Sequence, residues 1–184
     1  MLTKEELRKE FLKKMRALSI EEVKERSQCI QKKLERLELY QKAKKIMVYY
    51  PLKGEVDLLD MVREAKRKTF CFPKIEKERL VPYQVKNLET DFEKGKFGIK
   101  EPIEGKCRRV EVEELDLVIV PGVAFDHEKN RLGRGKGYYD RFLKELKDTI
   151  SVGVAFNFQI IDNLPYLSSQ DERVNILVSE TNVF

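Results

Sequence analysis

The stretch that most constrains this chain is LDLVIVPG, residues 115–122, followed shortly by RLGRGKGYYDRFL, residues 131–143. A β-branched apolar run without polar alternation reads as a strand buried on both faces, and such strands belong to parallel sheets covered by helices. Pro-Gly ends it. The order is then strand, loop, glycine cluster, helix, and loops of this kind gather at the carboxyl ends of parallel strands, where ligands collect.

The rest of the chain agrees with that class. Thr3 with Glu6 and Ser19 with Glu22 fit capping boxes, each followed by apolar residues at helical spacing, which predicts helices over residues 4–18 and 20–42. KIMVYYP (45–51) reads as a buried strand, residues 57–66 as a helix, and TFCFP (69–73) as another strand. RLVPYQV (79–85) reads as a further strand, with Pro82 favouring an edge. Residues 86–114 are weakly patterned and read as an excursion from the sheet. A helix running to about residue 147, then ISVGVAF (150–156) and VNILVS (174–179), completes the pattern. The expectation is a single α/β domain over residues 1–184: a mainly parallel central sheet flanked by helices, with two N-terminal helices.

Gly133, Gly135 and Gly137 alternate with Arg134 and Lys136, and Arg131 precedes them. Glycine permits positive φ and close approach of backbone to a ligand. A helix beginning near Gly137 adds free N–H groups and a positive dipole end, both favourable to phosphate. The spacing is neither a P-loop nor a dinucleotide fingerprint. A plain turn would need one or two glycines, not three beside three cations. Asp140 near the helix start suits the dipole, and beside a triphosphate it also suits magnesium.

A net charge of +5 favours anionic partners without choosing among them. Acidic residues interrupt the basic helices throughout and no nucleic-acid motif is present, which argues against a nucleic-acid module. No run approaches membrane-spanning length. Three cysteines without C-x-x-C spacing indicate neither a disulfide framework nor a zinc site, so a cytoplasmic, reducing location is expected. His127, the only histidine, lies in DHEKN, which reads as an exposed turn, and no Ser-His-Asp or Cys-His arrangement can be assembled around it.

PGVAFDHEKNRLGRGKGYYDRFL closely resembles the signature of 5-formyltetrahydrofolate cyclo-ligases, also called methenyltetrahydrofolate synthetases. Lys4-x-x-x-Arg8, YYPLKGEVD (49–57) and DERVNILVSE (171–180) extend the resemblance along the chain, in order and at suitable distances. The chain departs where Asn130 replaces a common glycine and where Gln170 stands in place of a histidine before Asp171.

The resemblance implies an ATP- and Mg2+-dependent ligase. The γ-phosphoryl group would pass to the formyl oxygen of 5-formyltetrahydrofolate, making that oxygen a leaving group, and N10 would then close the ring. It assigns Lys4, Arg8 and the run Arg131, Leu132, Gly133, Arg134, Gly135, Lys136, Gly137, Tyr138 and Tyr139 to ATP. Folate falls to Tyr50, Glu55, Arg134, Gly135, Lys136, Gly137 and Tyr138, and Mg2+ to Asp140 and Asp171. Lys136 and Arg134 are the expected catalytic pair, stabilising the transferring phosphoryl group. The partners expected are small molecules alone, including polyglutamylated folate, with neither nucleic acid nor membrane, and the protein is expected to be a monomer.

Overall fold

The computed structural model describes residues 2–165 and 167–184. Helices α1 (Lys4–Ala17) and α2 (Ile20–Arg36) begin as expected: Thr3 and Ser19 accept the backbone N–H groups of Glu6 and Glu22, whose carboxylates accept the cap N–H in return. The second helix ends early. Leu37 is extended, and a separate short helix, α3 (Glu38–Lys42), follows. The break brings Tyr40 and Ala43 onto the core that Ile30 and Leu34 occupy, so burial outweighs helical continuity. The Lys68 ammonium donates to the carbonyls of Tyr40 and Ala43, both at 2.6 Å, and so caps the helix end.

Strand β1 (Lys45–Met47) leads to α4 (Leu59–Glu64), then to β2 (Thr69–Glu76) and β3 (Arg79–Val85). β2 and β3 form a hairpin through Lys77 and Glu78, whose φ values of 42° and 67° match a two-residue primed turn. β4 (Phe92–Lys94) and β5 (Lys100–Pro102) make a separate ribbon, and β6 (Arg108–Arg109) returns to the main sheet. Then come β7 (Leu117–Pro121), β8 (Ala124–Asp126), β9 (Arg131–Leu132), α5 (Tyr138–Glu145), β10 (Ile150–Val154), β11 (Ile160–Ile161) and β12 (Ile176–Val178).

The main sheet runs β12-β10-β7-β1-β2-β3-β6, parallel from β12 to β2 and antiparallel beyond. Alternation along each strand divides the core between two faces. Ile46, Phe70, Leu117, Ile119 and Val152 point to the side covered by α2 and α3. Met47, Cys71, Val118 and Val120 point to the side holding Phe125, Phe142 and Leu143. α1 packs Leu7, Phe11 and Met15 on Val123, Ala124 and Leu132, over a small sheet ordered β11-β8-β9.

Two expectations need correction. β3 is not the edge strand, because β6 lies outside it. Pro82 is tolerated because its carbonyl accepts from Val110, so its backbone polar groups face β6 and the β2 ladder loses no donor. The small sheet is the second: Ala124–Asp126 and Arg131–Leu132, read as loop, pair as a hairpin around buried Asp126, while His127 and Glu128 form the exposed turn expected between them. That carboxylate accepts from the Asn130 backbone N–H at 2.9 Å, the Asn130 side chain at 2.8 Å and Leu164 N–H at 3.1 Å. The left-handed residue of the turn is Lys129, with φ 65°, not Asn130.

Gly54 joins α1 to the loop after β1. Its φ is +81°, and a Cβ there would lie 2.2 Å from the Met15 carbonyl oxygen. Gly54→Ala is therefore expected to cost about 2 kcal/mol or more, read as a lower urea midpoint at unchanged slope. An unchanged midpoint would contradict this contact.

Candidate active site

From β1 the chain crosses to β2 on one side, and from β7 to β10 on the other. The reversal opens a crevice at the carboxyl ends of β1 and β7, the switch point of an α/β sheet. Tyr49 and Tyr50, just beyond β1, and Pro121 to Val123, at the end of β7, border a cavity of about 320 Å3 there. Its other walls are mostly apolar: Leu52, Pro73, Ile75, Leu80, Phe97 and Ile99. A second cavity of about 330 Å3 is cationic, bordered by Lys4, Arg8, Arg141 and Lys144 together with Gln170 and Asp171. Arg131, Gly133, Gly137 and Asp140 border both. The glycine-rich loop is thus a partition with a chamber on each side.

Positive φ explains two of its glycines. Gly135 (φ +94°) lies against the Arg8 guanidinium, and a Cβ on Gly137 (φ +65°) would stand 2.9 Å from Arg141 Nη1. Gly137 also precedes the first turn of α5 in the left-handed region. Arg8 Nε donates to the Gly133 carbonyl at 2.8 Å, so α1 is tied to the loop directly. Lys4 and Arg8, one turn apart on α1, share a helical face that turns toward the partition.

The ion pairs are unevenly placed. The Arg131 side chain is 3% exposed; it donates to Asp140 Oδ1 at 2.9 Å and to the Pro121 carbonyl at 3.4 Å. Arg134, 34% exposed, donates through Nε and Nη2 to Glu55 Oε1 at 3.1 and 2.7 Å. Glu55 is 8% exposed, and its other oxygen accepts from Leu52 N–H at 2.9 Å. Lys136 has no carboxylate partner among the described residues; its ammonium lies 5.5 Å from the Phe97 ring centroid. Lys4 donates to Asp171 at 2.6 Å.

Two tyrosines beneath the apolar cavity are held neutral. Burial, reinforced by the nearby Glu55 charge, pushes both Tyr49 and Tyr139 well above the ordinary tyrosine value. Tyr49 donates to the Val56 carbonyl at 2.6 Å. The Tyr139 hydroxyl is buried without a hydrogen-bond partner.

The structure separates the residues assigned from sequence into two groups. Tyr50, Glu55, Arg134, Lys136, Tyr138 and Tyr139 border the apolar cavity only. Lys4, Arg8, Leu132, Gly135 and Asp171 border the cationic one only. Asp140 and Asp171 share the cationic cavity, each already paired with a cation. Among the described residues no three histidine, cysteine, aspartate or glutamate side chains are grouped to hold a metal. Sequence reasoning missed the ribbon's contribution, Phe97, Ile99, Lys100 and Glu101. The available signal was Phe97 itself, an aromatic beside glycine in a polar stretch, 63% exposed in the structure.

A switch-point crevice divided by a glycine loop into a mostly apolar chamber and a cationic one is where an α/β domain of this kind places its ligands. A model of the 5-formyltetrahydrofolate cyclo-ligase family matches residues 1–180, and the chain belongs to that family of ATP-dependent ligases. It is 31% identical to a mouse 5-formyltetrahydrofolate cyclo-ligase over 195 residues, covering 95% of this chain and 92% of the mouse protein. Its identity to the Mycoplasma pneumoniae protein of that name is 33%, over 97% of this chain and 99% of that one. The solution structure of Aquifex aeolicus 5,10-methenyltetrahydrofolate synthetase superposes with a TM-score of 0.88 at 44% identity, covering 99% of this chain and 92% of its own.

Burial works against the Asp171 carboxylate, but Lys4 and the Ser168 backbone and hydroxyl donors outweigh it and hold the carboxyl below its usual range. The Lys4–Asp171 pair therefore contributes fully above the ordinary aspartate value of about 3.9 and is lost as pH falls through the depressed one. Wild type is expected to lose more stability than Asp171→Asn between neutral pH and about pH 3, compared by urea midpoints. Equal losses would contradict the pairing.

Proposed function

We propose that the chain catalyses the reaction for which its family is named, and that its two cavities hold the two substrates. 5-Formyltetrahydrofolate is converted to 5,10-methenyltetrahydrofolate while ATP becomes ADP and phosphate. The observation that carries the assignment of the cavities is the shared wall: Arg131, Gly133, Gly137 and Asp140 border an apolar chamber on one side and a cationic one on the other.

In this reading the folate ring system lies in the apolar chamber. Tyr50 and Tyr138 supply ring contacts, and Glu55 accepts from the paired donors of the pterin. The phosphates of ATP lie across Lys4 and Arg8, along the backbone N–H groups of the loop and the first turn of α5. The formyl oxygen then attacks the γ-phosphorus and ADP leaves. N10 attacks the activated formyl carbon and gives up its proton; the C–O bond breaks, and phosphate departs with the electron pair. Alignment and charge neutralisation are the protein's share, and Lys136 and Arg134 supply the charge nearest the transferring group.

Mg2+ fits the donor set on one condition. Asp140 and Asp171 are two carboxylates in one cavity, too few for an all-protein site, but magnesium commonly takes one or two carboxylates and completes its shell with phosphate oxygens and water. Asp140 and Asp171 would hold it, and its contribution is to neutralise phosphate charge. The reading also takes in polyglutamylated folate as substrate, a monomer, and a cytoplasmic setting. Free Cys29, Cys71 and Cys107 accord with a reducing compartment, and no helix among the described residues is long and apolar enough to cross a membrane.

Purified protein with ATP, Mg2+ and 5-formyltetrahydrofolate is expected to generate the near-ultraviolet methenyl chromophore. Its absence across a range of temperature and pH would overturn the assignment. Lys136→Ala should lower turnover by about 100-fold or more, the scale of losing one electrostatic stabiliser, whereas His127→Ala should stay near wild type. Equal effects would contradict these roles.

A further inference from the structure

Both cations assigned to the transferring phosphate rest on walls of the folate chamber. Arg134 directs two N–H donors at a single oxygen of Glu55, and the Lys136 ammonium lies over Phe97. We propose that Glu55 is a positioning residue for Arg134 as well as a pterin contact: it withholds Arg134 from ATP until folate arrives.

The hydrogen-bond capacity of Glu55 is limited. A carboxylate offers about four acceptor sites, two on each oxygen. In Glu55, Arg134 takes both sites on Oε1, and Leu52 N–H takes one on Oε2. One site is left. A pterin presenting an amino group beside a ring N–H needs one site on each oxygen, so at least one Arg134 contact must break. Because Glu55 is 8% exposed, water cannot easily stand in for a lost partner, and the exchange is a direct competition between arginine and pterin. The released side chain has freedom to move. Arg134 sits between Gly133 and Gly135, outside any helix or strand and 34% exposed, on the loop that separates the chambers. Folate binding thus converts a cation neutralised by Glu55 into one available to the γ-phosphate. The consequence is protection of ATP. Without folate, water in the formyl oxygen's place would meet a phosphate lacking one of its stabilising charges, and wasteful hydrolysis to ADP and phosphate is suppressed.

This inference rests on the assignment of pterin to Glu55 and phosphate to Arg134, and the test separates the two. MgATP binding is measured by titration calorimetry, alone and with tetrahydrofolate lacking the formyl group, and folate-independent ATP hydrolysis is followed in parallel. In wild type the reduced folate should tighten MgATP binding by about five-fold or more, and MgATP should tighten folate binding by the same factor. Glu55→Gln, isosteric but uncharged, should bind MgATP without folate about as tightly as wild type does with it, and should hydrolyse ATP faster in folate's absence. Both gains should vanish when Glu55→Gln is combined with Arg134→Ala, because the effect runs through that arginine. MgATP affinity and hydrolysis unchanged in Glu55→Gln, or gains that persist in the double variant, would overturn the restraint while leaving the cavity assignment intact. If Arg134→Ala turned over both substrates at the wild-type rate, the cavity assignment would itself fail, and the restraint with it.

Discussion

The Arg131 guanidinium ties the end of β7 to the first turn of α5, and the crevice is built over that tie. One nitrogen reaches the Pro121 carbonyl and another reaches Asp140, with the side chain 3% exposed. A buried ion pair is poor evidence of net stability, but breaking one side leaves an uncompensated charge at a cost of about 3–5 kcal/mol. Its value here is geometric. With both ends of the 131–140 segment pinned, the glycines between them have a fixed frame in which to carry Arg134 and Lys136. Residues 131–140 therefore contain their own scaffold: Arg131 and Asp140 hold each other, and the residues between face the two chambers.

From composition alone, alternating glycines suggest room for a ligand. In the structure, arginine side chains lie against two of them, Arg8 of α1 against Gly135 and Arg141 of α5 against Gly137. Positive φ at both glycines turns the backbone sharply enough for α5 to begin at once. A phosphate entering the cationic chamber would meet these arginines and the free N–H groups together, and side-chain charge and helix dipole favour it in the same sense.

Which features were legible in the chain follows from their length. Capping boxes, buried strands and the helix after the glycines each rest on several residues of consistent pattern, and each appears in place. The hairpin of β8 and β9 escaped because strands of two or three residues carry no periodicity, and because its buried anchor, Asp126, is of a type that usually marks surface turns. The end of α2 at Arg36 escaped because only the tertiary position of Tyr40 and Ala43 decides it. Pairing within the site was equally hidden. Glu55 and Arg134 were each identifiable by resemblance, but no spacing rule brings two residues so distant in sequence together. The ribbon wall was least legible, since β4 and β5 derive their position from packing on β2, not from any pattern of their own.

The distribution of charge links these points. A net charge of +5 says little until the cations near the crevice are followed to their partners. Lys4 pairs with Asp171, Arg131 with Asp140 and Arg134 with Glu55, while Arg8 is held by a carbonyl. Left unpaired, so many like charges would repel one another and work against the compact fold. Paired, they no longer repel one another, and the crevice keeps its cations within a compact fold. Lys136 is the exception among the loop cations: it has no carboxylate partner among the described residues, and its ammonium lies over the face of Phe97. A lysine resting on an aromatic ring at the mouth of the apolar chamber moves at far lower cost than an ion-paired one.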